Sequence, residues 1–503
     1  MNAPLRRVGV VVLVLFGLLF ANLNWVQGVK AREYRTSDYN GRVLQAEYEV
    51  ERGKVIVGDQ AVAQSIPATS GDLKFQRVYP KGAPYAHLVG YKSVVLGSTA
   101  IEKLENDYLS GNADSQFADR FAELFTGDKP GGNVVLSISK SAQETAYNEL
   151  LNNKNKVPKA AAVAIDPKTG AILAAASIPS YDPNTVVTHD RAAALNAQKT
   201  LNADENKPLR NRVFSERYPP GSTFKVVMSA AMLANGVTPQ TVLDAGPSYA
   251  PPQTGGFTIK NASPNICPDP KITLLDALTV SCNTMFAKYG AEVLGPDKIK
   301  DMAKKFGFES VPTIDLDEEN TCFRVAASET GSMLTKEGKP DPPAVAQSSI
   351  GQRDVVMTPL QGALIAATVA NGGKQMRPYL VQQLKAADLT TVHYTAQPKD
   401  VRQPIDGNQA RDLQTMMVSV VEKGSGKNAR INGFQVGGKT GTAENATEAE
   451  SHGWFISFAM KGNEPVIATA VFLENAGKGG SAEAARIAGQ IMKAYIGEKG
   501  LGG

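Results

Sequence analysis

From Val8 to Phe20 the chain reads VGVVVLVLFGLLF, without a charge or a proline, and residues 21–26 extend the run. That reaches the roughly 20 residues a helix needs to span a bilayer. No second apolar stretch of comparable length follows. Between Arg32 and Phe125, short runs such as VLQAEYEVERGKVIVG alternate with loops in the manner of strands. Residues 98–111 (STAIEKLENDYLSG) have helical apolar spacing, charge on the other face and a terminal glycine. Residues 127–132 (GDKPGG) form a turn-rich junction. NVVLSIS then predicts a strand and SAQETAYNELLNN a helix, with Ser141 and Glu144 in capping-box register.

A second region begins near Val157. AAAVAID, a Pro-Lys-Thr-Gly turn and AILAAASI predict two buried strands in a hairpin. Helices are expected after Pro219-Pro220-Gly221 (FKVVMSAAMLANG), over residues 272–295, and from Leu360 to Ala370 behind Thr358-Pro359. GWFISFAM and PVIATAVFL predict further strands, followed by a last helix over about residues 482–496. Strands at both ends with helices between them imply an α+β domain whose terminal segments share one sheet.

Composition narrows the classes. At 503 residues, two or three domains are expected. The 53 basic and 49 acidic side chains leave a net charge of +4, with no dense basic stripe, so nucleic acid is not an expected partner. Cys267, Cys282 and Cys322 are too few for a disulfide-built scaffold, and His87, His189, His393 and His452 are scattered. No metal site and no cofactor is expected. One cysteine pair could bridge in an oxidising compartment, but spacing does not choose which. Cys282 is read first as a buried small apolar residue.

Arg6 and Arg7 precede the apolar run and Trp25 sits where interfacial aromatics gather. NLNWVQGVKAREY offers no small-x-small cleavage site, which favours an uncleaved signal anchor over a removed signal peptide. Lys30, Arg32 and Arg35 run against the positive-inside pattern. In either reading the rest of the chain is exported.

Three short motifs bear chemistry: Ser222-Thr-Phe-Lys225, Ser281-Cys-Asn283 and Lys439-Thr440-Gly441-Thr442. This set is associated with serine β-lactamases and penicillin-binding proteins. A serine hydroxyl needs a base within reach, and on a helix Lys225 can return its amine to Ser222. Lysine serves as a base only when neutral, a state favoured by burial and by a second cation such as Lys439. The helix start at Ser222 offers free N–H groups to an oxyanion. Decoys exist: Ser137-Ile-Ser-Lys140, Lys168-Thr169-Gly170, Ser110-Gly-Asn112 and Ser263-Pro-Asn265. Ser137 falls in an expected strand, where i and i+3 face opposite ways. Lys168 falls in a hairpin turn and Ser263 in a Pro-rich loop, whereas Ser281 is expected within a helical run.

With their flanks, RYPPGSTFK, TVSCNTMF and GGKTGTAE resemble the signature regions of class B penicillin-binding proteins, the monofunctional peptidoglycan D,D-transpeptidases. ERGKVIVGD, STAIEKLENDYLSG, IPSYDPN, SSIGQ and MTPLQ extend the likeness over nearly the whole chain. In overall shape it is most similar to the short actinobacterial members, the penicillin-binding protein A type. The resemblance implies a cytoplasmic tail over residues 1–7, a transmembrane anchor over 8–26, and a mostly β, dimerisation-like domain over 27–150. The β-lactamase-like transpeptidase domain, an antiparallel sheet flanked by helices, would occupy 151–503 outside the cytoplasmic membrane.

It also implies roles. Ser222 would be acylated by a D-Ala-D-Ala stem peptide, Lys225 would take its proton and Ser281 would relay it. Asn283 would hold the substrate amide and the lysine. Lys439, Thr440 and Thr442 would bind the substrate carboxylate, with Gly441 completing the motif. The Ser222 and Thr442 N–H groups would form the oxyanion hole. Expected partners are peptidoglycan stem peptides as donor and amine acceptor, β-lactam antibiotics, the membrane, and glycosyltransferase, divisome or elongation proteins. ERGKVIVGD lacks the family's usual Asp-Arg continuation. The alternatives are a D,D-carboxypeptidase or β-lactam hydrolase on the same scaffold, or a non-catalytic divisome scaffold. Asp182 and Asn184 are read as turn-formers, Arg212 as an ion-pairing residue, Trp454 as core and Glu444 as a solvated loop charge.

Overall fold

The structure is a computed structural model that describes residues 2–30, 47–69, 73–113, 131–252, 256–315, 322–443 and 450–502. Arg32, Arg35, Glu444 and the 127–130 part of the junction lie outside the described residues. The helices include α1 (Asn2–Asn24), α2 (Lys140–Leu151), α3 (Lys225–Ala234), α4 (Leu274–Val280), α5 (Asn283–Tyr289), α6 (Pro359–Ala370), α7 (Gly407–Glu422) and α8 (Gly480–Glu498). The main strands are β1 (Val55–Val57), β2 (Gln60–Pro67), β3 (Phe75–Val78), β4 (Asn133–Leu136), β5 (Ala160–Ile165), β6 (Ile172–Ile178), β7 (Val381–Lys385), β8 (Val392–Thr395), β9 (Gln435–Ala443), β10 (His452–Lys461) and β11 (Glu464–Leu473).

The apolar span Arg6–Val29, helix α1 with the turn after it, has none of its apolar window buried among the described residues and is long enough to cross a membrane. The sheet of the second region has the order β9-β10-β11-β5-β6, all antiparallel, so strands from both ends of the region do share one sheet. Alternate residues of β5 enter different cores: Ala161, Val163 and Ile165 join one, Ala160, Ala162 and Ala164 the other. Helices α2 and α8 cover the second face. Helix α6 is buried along its whole length on the first. Covering both faces explains why these strands read as continuous apolar runs.

The other sheet, β8-β7-β4-β1-β2-β3, mixes a parallel β1–β4 pair with antiparallel neighbours. Its strands β7 and β8 come from deep in the second half, so the two halves are knit by a shared sheet. Arg52, within ERGKVIVGD, is buried there. Its Nε donates to Glu102 at 2.8 Å, and Arg77 Nε donates to the same carboxylate at 2.7 Å. Burial opposes the charge on Glu102, but the two guanidiniums outweigh it and hold the carboxyl at about 2.

Several local expectations are corrected. The helix expected over residues 98–111 is two short ones, Ala100–Leu104 and Asn106–Leu109, separated at Glu105. Helix α2 is capped by Ser139, whose hydroxyl accepts from the Ala142 N–H at 3.1 Å, rather than by Ser141. The 272–295 helix breaks at Ser281, which takes a left-handed conformation (φ 63°, ψ 45°) between α4 and α5. Cys282 is not a free packed thiol: it is disulfide-bonded to Cys267.

Candidate active site

The turn that carries Ser222 is fastened from three sides. Tyr218 and Met357 exchange backbone hydrogen bonds at 3.0 and 2.9 Å. Trp454 Nε1 donates to the Pro219 carbonyl at 2.9 Å, so this buried indole is core and clamp together. The Gly221 N–H donates to the Gly351 carbonyl at 2.9 Å, drawing in the SSIGQ segment. Gly221 has φ +52°, and a Cβ there would lie 2.5 Å from the Thr442 carbonyl oxygen. Only glycine allows both that conformation and that approach. Residues Gly221–Phe224 then form a 3-10 turn leading into α3. In a 3-10 turn, i and i+3 eclipse, which stacks Lys225 beneath Ser222. The Ser222 N–H lies in the first turn, where no intrahelical acceptor exists.

Lys225 and Lys439 are both fully buried. Lys225 Nζ donates to the Ser281 carbonyl at 2.9 Å and to Asn283 Oδ1 at 2.7 Å, and lies 3.3 Å from Ser281 Oγ. Lys439 Nζ donates to the same Ser281 Oγ at 2.9 Å and to the Thr440 carbonyl at 3.1 Å. The left-handed bend makes this possible by turning both the carbonyl and the hydroxyl of Ser281 towards the lysines. Asn283, first residue of α5, is held by its own N–H donating to Asn261 Oδ1 at 2.8 Å and its Nδ2 to the Lys260 carbonyl at 3.0 Å. Burial, then the charge of Lys439, hold the Lys225 amine well below the usual lysine range. Burial alone lowers Lys439 to about 7. The expected return of Lys225 to Ser222 is not formed: among the described residues the Ser222 hydroxyl has no hydrogen-bond partner, and Ser281 and Asn283 take the amine instead.

Among the described residues β9 is an edge strand, so one side of its backbone is unpaired beside the turn that carries Ser222. Lys439 and Gly441 share one face by the two-residue period. At Gly441 a Cβ would lie 2.6 Å from the Pro220 carbonyl oxygen. Thr440 is buried and its hydroxyl bonds Ser425, while Thr442 is exposed. Ser425 was missed in the sequence. Its signal is slight, a small polar residue between two glycines just past a helix, which reads as an ordinary turn.

The decoys fall elsewhere. Ser137 Oγ donates to the Ile172 carbonyl at 2.8 Å, just beyond β4. Lys168 sits in the β5–β6 turn and pairs with Glu464. Ser110 bonds Asn112 at 2.9 Å, and Ser263 closes a local turn onto Asn265. Asp182 caps a short turn through the Asn184 N–H at 3.0 Å, and Asn184 in turn bonds the Tyr79 backbone. Arg212 forms no ion pair among the described residues; its guanidinium donates to the carbonyls of Asn206, Lys207 and Arg210.

Residues 160–493 match the penicillin binding protein transpeptidase domain, and residues 52–135 the penicillin binding protein A dimerisation domain. The chain is 41% identical over 501 residues to peptidoglycan D,D-transpeptidase PbpA of Mycolicibacterium smegmatis, spanning 99% of this chain and 98% of that relative. Identity to PbpA of Mycobacterium tuberculosis is 39% with the same spans. The imipenem acyl-enzyme complex of penicillin-binding protein A from M. tuberculosis superposes with a TM-score of 0.82 at 38% identity, over 90% of this chain and 100% of that one. Its penicillin G acyl-enzyme complex gives 0.80 at 37%, over the same shares. Matched over 99% of its length in sequence and 90% in fold, the chain belongs to the class B penicillin-binding proteins.

Proposed function

We propose that the protein is a peptidoglycan D,D-transpeptidase with Ser222 as nucleophile, anchored by α1 with its catalytic region outside the cytoplasmic membrane. The observation that carries this is the convergence of Lys225, Ser281, Asn283 and Lys439 within hydrogen-bond distance, beneath the turn that presents Ser222. Neutral Lys225 takes the Ser222 proton as the hydroxyl attacks the penultimate D-Ala carbonyl of a stem peptide. The developing oxyanion is met by the Ser222 and Thr442 N–H groups. Ser281, lying between both lysines, passes the proton to the departing D-Ala amine. Asn283 orients the lysine and the substrate amide. Lys439, Thr440 and Thr442 hold the terminal carboxylate, with Gly441 allowing close approach. The free edge of β9 suits an extended peptide adding as a further strand. An amine of a neighbouring stem peptide then attacks the acyl-enzyme, while a β-lactam remains at that stage. Residues 27–150 act as the non-catalytic support, and 151–503 as the transpeptidase domain. Glycosyltransferase, divisome or elongation proteins are the natural partners of such an enzyme.

The test is intact mass of the protein with penicillin, with and without Ser222→Ala. A lasting single adduct on the parent alone supports a synthase; rapid turnover of the drug means a hydrolase. No adduct on folded parent protein overturns the assignment of Ser222.

A further inference from the structure

Away from all three motifs, a cavity of about 280 Å³ opens beside the two-stranded ribbon of Gln375–Met376 and Asp400–Arg402. Arg377, Lys399 and Arg402 line it together with Gln375, and no acidic side chain does among the described residues. The ribbon sets their spacing, since the Arg377 N–H donates to the Lys399 carbonyl at 2.8 Å. Arg402 is half-buried, yet its guanidinium meets only neutral acceptors, Gln375 Oε1 at 3.0 Å and Ser310 Oγ at 2.9 Å. Two of its five N–H donors are thus used among the described residues. Arg377 donates through Nη2 to the Asp315 carbonyl, while its Nε is buried with no partner among the described residues. None of the three cations forms an ion pair among the described residues.

A half-buried cation without a counter-charge is costly, and two more beside it raise that cost. Burial accordingly weakens the hold of Arg402 on its proton. We propose that this pocket is an oxyanion site for an organic phosphate, with Arg377, Lys399 and Arg402 as its ligands. A carboxylate would neutralise one of three charges, whereas a phosphate brings up to two and matches the guanidinium fork. Val311 and Val401, both substantially exposed at the rim, suit an apolar or glycerol-like substituent. The phosphate could be that of a soluble ester or of a phospholipid headgroup. The site lies where the ribbon runs on into β7 of the shared sheet, so occupancy would stiffen the joint between the two halves.

The test uses the full-length protein in a non-ionic detergent at constant ionic strength, titrated calorimetrically with inorganic phosphate, glycerol 3-phosphate and short-chain phosphatidylglycerol below its micelle concentration. At least one probe is expected to saturate at one site per chain. Lys399→Gln, at an exposed position, should weaken it several-fold, and Arg402→Gln about tenfold, the loss of a charge-assisted pair. Tighter binding of phosphatidylglycerol than of glycerol 3-phosphate would identify a lipid headgroup; the reverse order, a soluble ester. Penicillin acylation of Ser222 should be unchanged in Lys399→Gln, which certifies its fold. If no probe saturates, or if Lys399→Gln and Arg402→Gln bind as the parent does, the site is overturned.

Discussion

Replacing Lys439 with glutamine should move the pH dependence of acylation, not merely lower its rate. Both lysine amines lie within 3.3 Å of the Ser281 hydroxyl oxygen, so they are no more than about 6 Å apart. Two unit charges at that separation, with an effective dielectric constant of about 20, repel by about 3 kcal/mol. That corresponds to about 2 pKa units. Lys439→Gln removes this repulsion but leaves Lys225 buried, so the Lys225 pKa rises by that amount while staying below the free-lysine value. If neutral Lys225 is the base, the acid limb of the acylation rate shifts to higher pH by about two units. Below the limb the rate falls about 100-fold. On the alkaline plateau it recovers, except for whatever binding of the carboxylate is lost. The assay is the second-order rate of Ser222 acylation by a fluorescent penicillin between pH 5 and 10. A profile of unchanged shape, lowered equally at every pH, would refute the charge argument and leave Lys439 a binding group only.

The same lysines make stability depend on pH. Lys439 is lowered from 10.5 to about 7 in the folded state, so across that window the unfolded chain holds more protons and stability rises with pH. The urea midpoint should increase from pH 7 to 9, and increase less in Lys439→Gln. Ser425→Ala leaves the buried Thr440 hydroxyl without its partner and should raise the penicillin concentration for half-maximal acylation rate severalfold, with Ser425→Thr restoring it; unchanged kinetics would remove Ser425 from the site. Trp454→Phe orphans the Pro219 carbonyl and should cost about 1–3 kcal/mol by urea unfolding, with slower acylation because the nucleophile turn loosens. Glu102→Gln breaks a buried carboxylate shared by two arginines and should cost about 3–5 kcal/mol. Because the Glu102 pKa is depressed to about 2, that stabilisation is present above the unfolded value near 4.5 and is lost as pH falls towards 2. Equal stability of the glutamine variant at pH 7 would show that Arg52 and Arg77 are satisfied without the charge.

The sequence by itself determined the more apolar elements and the chemistry they carry. An apolar run of bilayer length marked α1, and shorter ones marked α6, β5, β6, β10 and β11, because burial on one face or two writes its period directly into the residues. Ser222, Lys225, Ser281, Asn283 and Lys439 stood out because each motif holds its reactive types two or three residues apart. Tertiary structure decided how those motifs meet. No local pattern shows that Ser281 bends into a left-handed conformation, though that bend lets one hydroxyl touch two lysines from segments 214 residues apart. Ser425, Trp454 and Gly351 act on the site only through contacts with distant residues. The Cys267–Cys282 bridge depends on two segments folding together. Strands β7 and β8 are short and partly polar; β7 pairs with β4, some 250 residues earlier in the chain, and β8 pairs with β7. A pattern is legible in sequence when its cause is local burial or backbone geometry; a contact across the fold is set by the packing of the whole.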